Sequence, residues 1–440
     1  MKVFIKNHLL EFQNRVDYVV DFINQHPSCK DSDVLPTDQS KFNIQVNYGG
    51  TEGSDSFYIP TQETIFSSEI QQTDKLISNK FRYQDQNLYS VELKEREERN
   101  FLEGKRFQFD IVETIFFHLS RYEEFHCPDE GKDRWDIMKE DTQFLVRQGL
   151  EKRPVVDLLV KCFLEAIGLE VHEQNSRVRI THDIDLITKF KSPLSFLRFN
   201  AYYLKNGRGV SSIMEVWKSY SRTLFKHEHP YDVFEEMLLD RPIDKEIYFL
   251  IGGKTAVDTP LDTSSDIFKR AIRLSKERGY RIGIHPSYAT WQDLELFIKE
   301  KEKLEEIIGE DVMISRQHYL HFSFEKTIPI LVKAGIKQDS TLGFNRRIGF
   351  RAGTGVGFKL YDLANDRATE VVEKPLAFMD SSLFEESGFE PIRFREIAND
   401  FLLRNQNDTE LTFNFHNSRF DDAKMFGLPQ EELYTQLTNG

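Results

Sequence analysis

Residues 178–185 read VRITHDID, an apolar run that closes on two aspartates one residue apart. If the backbone stays extended to its end, Asp183 and Asp185 project from the same face of a strand. The rhythm recurs downstream in EIYFLIGG (246–253), YRIGIHPS (280–287), DVMISRQHY (311–319), AGIKQDST (334–341) and ELTFNFHNS (410–418). Each is a short apolar run ending in polar or ionisable residues. Helical patterns lie between several of them, among them 265–279 and 291–309. Strand alternating with helix predicts an α/β fold with a parallel sheet, and in such sheets and barrels reactive side chains gather where the strands end.

Upstream the pattern differs. Short alternating runs (FNIQVNYGG, DSFYIP) are separated by Gly-rich turns and followed by DIVETIFFHLSRYEEF at 110–125. Ile111, Ile115, Phe116, Leu119 and Tyr122 recur there at helical spacing, with Asp110 as the expected N-cap. A second helix is expected from Pro154 to a break at Gly168. The change of rhythm near 173–177 divides the chain into a smaller α+β domain, 1–176, and an α/β domain, 177–440. At 440 residues two domains fit the length.

Composition bounds the rest. With 39% hydrophobic and 30% charged residues, the chain reads as globular. No apolar run is long enough to span a membrane, and the charged N-terminus is unlike an export signal. Cys29, Cys127 and Cys162 are sparse, odd in number and without a CxxC spacing, so a reducing, cytoplasmic setting is expected. A net charge of −14 argues against nucleic acid as a partner. The 37 phenylalanines are spread along the chain and read as core.

The chemistry concentrates at strand ends. Asp183, Asp185, His285, Arg316, His318, Tyr319 and His416 all fall there. Singly, a DxD is often a cap or a solvated loop, and a lone histidine is often core. Together, carboxylates and imidazoles on one rim suit a zinc-like metal with an open coordination position.

In order and spacing, residues 178–420 resemble the polysaccharide deacetylases, the family built on the NodB homology domain. The resemblance implies a distorted (β/α) barrel. Thr181-His182-Asp183-Ile184-Asp185 looks like the D-x-D form of the first motif, which would make Asp183 the general base and Asp185 a metal ligand. Gly283-Ile284-His285 matches the start of G-x-H-[ST]-x-x-H, which would make His285 the imidazole ligand. Ala289 stands where the second histidine of that motif belongs. Arg316-Gln317-His318-Tyr319 looks like R-x-P-[FYW] with histidine for proline, so His318 is expected to supply the missing ligand. His182, His321 or water are the alternatives.

By the same resemblance Arg316 orients Asp183, Asp339 positions Arg316, and His416 is the general acid. Tyr319, and Arg351 in the loop GFRAGT, are expected to face substrate, although a purely structural glycine-rich turn reads equally well. The cofactor implied is a divalent transition metal, Zn2+ first, with Co2+ or Ni2+ as substitutes. The activity implied is N-deacetylation of an acetamido sugar or glycan in bacterial envelope polysaccharide metabolism. The competing readings are an inactive relative that binds glycan or a partner, a hydrolase of another amide or imide bond, and a two-carboxylate glycoside hydrolase. The first domain resembles an uncharacterised region that accompanies some deacetylase-like proteins, which implies no role.

One segment departs from the acidic background. Between 186 and 227 stand Lys189, Lys191, Arg198, Lys205, Arg208, Lys218, Arg222 and Lys226 against Glu215 alone, interleaved with aromatics. This is the composition of a helix pair that could touch an anionic membrane, as a peripheral protein of the inner membrane would, or a phosphate group. A lid or packing helix with solvated lysines is the plainer reading.

Overall fold

The computed structural model describes residues 2–29, 33–35, 42–67, 69, 71–171, 173–190, 193–205, 209–253, 255 and 257–439. VRITHDI forms the strand its pattern suggests: β1, Arg177–Ile184, is buried from Arg179 onward and pairs in parallel on both sides. Its sheet has nine strands. The others are β2 (Asp244–Phe249), β3 (Arg281–Ile284), β4 (Ile314–Ser315), β5 (Gln338–Asp339), β6 (Phe358–Asp362), β7 (Arg367–Glu373), β8 (Phe378–Met379) and β9 (Glu410–His416). They lie in the order β6-β7-β5-β4-β3-β2-β1-β9-β8, and only the β6–β7 pair is antiparallel. Every other strand therefore ends on the same edge, and Asp183 sits in register with Tyr248 on one side and His416 on the other.

Local signals close the connecting helices. Ser265 caps Asp266–Glu277 by accepting a hydrogen bond from Phe268 N (3.3 Å), and Asp293 caps Leu294–Ile308 through Leu296 N (3.0 Å). The N-terminal region carries its own six-stranded and three-stranded sheets, making a mixed α/β molecule with several sheets. Asp110 caps α1 (Ile111–Leu119), accepting from Glu113 N at 2.8 Å. The helix expected through residue 125 stops at Ser120, because Arg121 turns left-handed (φ 52°). That turn draws its guanidinium onto Glu123 and Glu124. The helix α2 (Val155–Ala166) follows Pro154, and Gly168 takes φ +87° just beyond it.

One hydrophobic core runs through both regions. Buried polar contacts join them as well. Glu124 accepts from Arg121 and from Arg351, Tyr18 donates to Lys359 O (2.7 Å), and Glu140 accepts from Asn345 N (2.6 Å). Two helices, α3 (Pro193–Lys205) and α4 (Gly209–Lys226), pack together as a hairpin after β1. Among its basic residues, Lys191 and Arg208 lie outside the described residues. Lys189 is not a solvated base: it is buried and ion-paired with Asp421. No helix among the described residues is long and apolar enough to cross a membrane, and none of the three cysteines forms a disulfide among them.

Candidate metal centre

At the end of β1 the two aspartates part company. Asp183, still in the strand, is buried: its Oδ1 accepts from Arg316 Nη1 (2.7 Å) and its Oδ2 from Asn414 Nδ2 (2.8 Å). Burial would raise its pKa, but the charge of Arg316, then those of His285 and His416, holds it below the usual carboxylate value. Asp183 is an ionised carboxylate at neutral pH. Asp185, one step past the strand, keeps about a quarter of its side chain exposed, at 24%.

His285 follows β3, and its Nδ1 lies 2.6 Å from the carbonyl oxygen of Arg316. A carbonyl can only accept, so Nδ1 carries a proton and Nε2 presents a lone pair. Nε2 stands 3.2 Å from Asp185 Oδ1. His318, just past β4, is held the same way: its Nδ1 faces Asp258 Oδ1 at 3.2 Å, leaving Nε2 as the donor atom. Asp258 also accepts from Tyr288 N (2.9 Å) and Thr255 Oγ1 (2.7 Å). Against burial, which raises it, these bonds bring its carboxyl down to about 2, so it backs His318 as an anion.

One ligand atom from each of Asp185, His285 and His318 lies within 4.8 Å of the other two. Three electron-pair donors this close repel unless a cation neutralises them. A proton on His285 is one such neutraliser, and Asp183 and Asp185 raise that pKa against burial. A divalent metal is the other, and it suits the donor set: two imidazoles oriented by a carboxylate and a carbonyl, and a carboxylate oxygen, Asp185 Oδ1, with no hydrogen-bond partner. The structure thus brings His318 beside Asp185 and His285.

Arg316 is fully buried. Its Nε donates to Ser340 O (2.8 Å), Nη2 to Ser340 Oγ (2.9 Å), and Nη1 to both Asp183 and Asn414 Oδ1 (2.6 Å). Its guanidinium also lies over the Tyr248 ring, 4.4 Å from the centroid. Gly283 is required beside that ring, since a Cβ there would meet both Tyr248 and Ile314. Asp339, expected to position Arg316, does not touch it. Asp339 accepts from Ser315 Oγ (2.5 Å) and Thr341 N (3.0 Å), and burial raises its pKa. On a strand a one-residue step reverses the side-chain direction, so it is Ser340 that reaches the arginine.

Across from Arg316, His416 ends β9. Its Nδ1 lies 2.7 Å from Asp380 Oδ1, and its backbone N donates to Asp380 Oδ2 at 2.8 Å. Its Nε2 is 3.9 Å from Asp183 Oδ2 and 3.8 Å from Asp185 Oδ2. Burial disfavours the imidazolium, but Asp380 first, then Asp185 and Asp183, raise its pKa to about 9. Tyr319 stands at the mouth, half exposed, its ring 4.6 Å from that of His318 and its backbone at φ 60°. The N-terminal region reaches the same mouth: Tyr288 OH donates to Trp135 O at 3.4 Å.

Three other candidates lie off the cluster. Arg351 does not face substrate. It is buried and forked onto Glu124, with Nη1 on Gly343 O (3.1 Å), because Gly349 lets its loop press against the carbonyl of Glu151. His182 points to the far side of the sheet, near Phe415 O and Tyr434, where burial lowers its pKa to about 3. His321 is packed between Tyr288 and Trp291. Sequence reasoning missed Asp258, Asp380, Asn414 and Tyr248. Asn414 alone had a local signal, two residues before His416 on the same strand face.

Residues 5–171 match a protein family of unknown function (DUF7033). The match ends before β1, so it covers none of the strand ends that carry the cluster. No curated protein matches the chain.

Proposed function

We propose that the chain is a metal-dependent hydrolase of the polysaccharide deacetylase type, with the nine-stranded sheet as that family's distorted (β/α) barrel, acting on N-acetylated sugars or glycans. One observation carries the reading: the Asp185–His285–His318 cluster stands beside both an ionised carboxylate, Asp183, and a carboxylate-backed imidazole, His416. A divalent transition metal held there, Zn2+ first and Co2+ or Ni2+ after it, supplies polarisation of the acetamide carbonyl and acidification of water.

The chain's own residues do the rest. Asp183 takes the proton of the attacking water while Arg316 and Asn414 hold its two oxygens in place. As the C–N bond breaks, His416 Nε2 gives its proton to the nitrogen, leaving acetate and a free amine, and Asp380 stabilises the imidazolium. Tyr319 and Trp135 line the approach. The bacterial envelope setting rests on the resemblance alone. The cytoplasmic setting rests on the sparse, odd set of three cysteines in the sequence.

The test is the metal content of the full chain and of Asp185→Ala, His285→Ala and His318→Ala, by elemental mass spectrometry, alongside acetate release from a panel of acetamido sugars. The expected result is about one equivalent of transition metal in the parent, lost in each variant, with acetate release abolished by chelator. A parent that stays metal-free after zinc, cobalt or nickel supplementation would overturn the reading. Activity undiminished in chelator would point instead to two-carboxylate chemistry.

A further inference from the structure

Large apolar side chains in water are common singly, and clusters of them mark a surface that is normally covered. Of the 16 large hydrophobic residues exposed among the described residues, seven stand on the α3–α4 hairpin. On α3 they are Leu194, Leu197 and Leu204, at spacings that place them on one face. On α4 they are Met214, Trp217, Leu224 and Phe225, again on one face, with Phe225 82% exposed. The packed faces adjoin these stripes: Phe196 is buried against Tyr220 (4.6 Å between centroids), the half-exposed Trp217 also touches Phe196 (4.7 Å), and Val216 is fully buried.

Charge selects what covers these stripes. Lys218, Arg222 and Lys226 follow one another at four-residue steps along the side of the α4 stripe, all exposed. Glu215 pairs with Lys218 at the surface (2.6 Å) and is the sole acidic residue from 186 to 227. With Lys189 buried against Asp421, the basic side chains exposed among the described residues of the hairpin are Arg198, Lys218, Arg222 and Lys226; in a chain of net charge −14 they make this face the one drawn to an anionic surface that repels the rest of the molecule. Convex helices with an apolar stripe, a basic flank and a tryptophan at the boundary lie in the plane of a lipid headgroup layer.

We propose that the α3–α4 hairpin docks the protein on an anionic lipid bilayer, with the leucine stripe of α3 and the Met214–Phe225 stripe of α4 entering the headgroup layer and Lys218, Arg222 and Lys226 meeting lipid phosphates. The hairpin follows in the chain the strand that carries Asp183. The inference stands apart from the proposed activity, because vesicle binding requires no turnover.

The test uses the full chain with vesicles of phosphatidylcholine alone and of phosphatidylcholine mixed with phosphatidylglycerol. The expected result is co-flotation with the mixed vesicles, weakened by salt, and a blue shift of the emission of Trp217. Trp217→Phe identifies that signal. The double variant Lys218→Glu/Arg222→Glu lowers affinity for the mixed vesicles on the order of a hundredfold, and Leu224→Ser/Phe225→Ser abolishes binding, while circular dichroism and metal content stay those of the parent. Equal affinity for both vesicle compositions, or binding to neither, overturns the proposal. So does a dimer that Phe225→Ser dissociates in a protein that never floats, which would assign the stripes to a second copy of the chain.

Discussion

Two buried arginines mark two kinds of charged cluster in this molecule. Arg316 and Arg351 are both almost without exposure, at 0% and 2%, and both donate to carboxylates from distant parts of the chain. At Arg351 the charges close, although Arg121 Nη1 finds no acceptor: Glu124 receives Arg351 on both oxygens and Arg121 on one, Glu123 takes Arg121 as well, and the pair of guanidiniums holds the Glu124 carboxyl down to about 2 despite burial. At Arg316 they do not close. Beyond Asp183 stand Asp185, His285 and His318, whose donor atoms face one another, beside the part of Asp185 open to solvent. An arginine next to a carboxylate is thus ambiguous. What separates a structural joint from a reactive centre is an excess of lone pairs with a way in.

Breaking the base should have the largest effect. Asp183→Asn keeps the bulk and the contact to Arg316 but removes the proton acceptor, so kcat for acetate release should fall on the order of a thousandfold or more. Metal content should stay at the parent value, measured by steady-state kinetics beside elemental analysis. The matching change at the joint, Glu124→Ala, leaves Arg121 and Arg351 buried without their shared anion and should cost about 3–5 kcal/mol of unfolding free energy in denaturant melts. Metal bound per folded molecule should not change. If Glu124→Ala strips the metal, the two clusters are coupled and the contrast fails.

Smaller changes sharpen the distinction. Asp258→Asn removes the anion behind His318 and should weaken metal affinity roughly tenfold to a hundredfold in a chelator competition, with little change in melting of the metal-free protein. At the joint the probe is pH. His118 on α1 is buried, and burial, then the charge of Arg121, lowers its pKa to about 3. The unfolded chain, titrating near 6.5, therefore binds a proton that the folded chain refuses. Stability from this group is complete above pH 6.5 and is lost as the pH falls through 3, by about 2 kcal/mol at pH 5. His118→Phe should flatten that part of the stability–pH curve.

Much was decided locally and could be read without a structure. Ser265, Asp293 and Asp110 cap their helices through bonds to backbone three residues on, and VRITHDI becomes a buried parallel strand because its apolar positions demand neighbours on both sides. The order of strand ends placed Asp183, Asp185, His285, Arg316, His318 and His416 on one edge, since parallel strands all finish there. What folding alone decided is which side chains meet across that edge. His318 depends on Asp258, His416 on Asp380, and Arg351 on a glutamate 227 residues away, and no periodicity carries such pairings. The choice of Ser340 over Asp339 for Arg316 turned on a single step along a strand. Sequence patterns record what each segment must bury, whereas the partners of a buried charge are fixed only when distant segments are packed and every donor must find an acceptor.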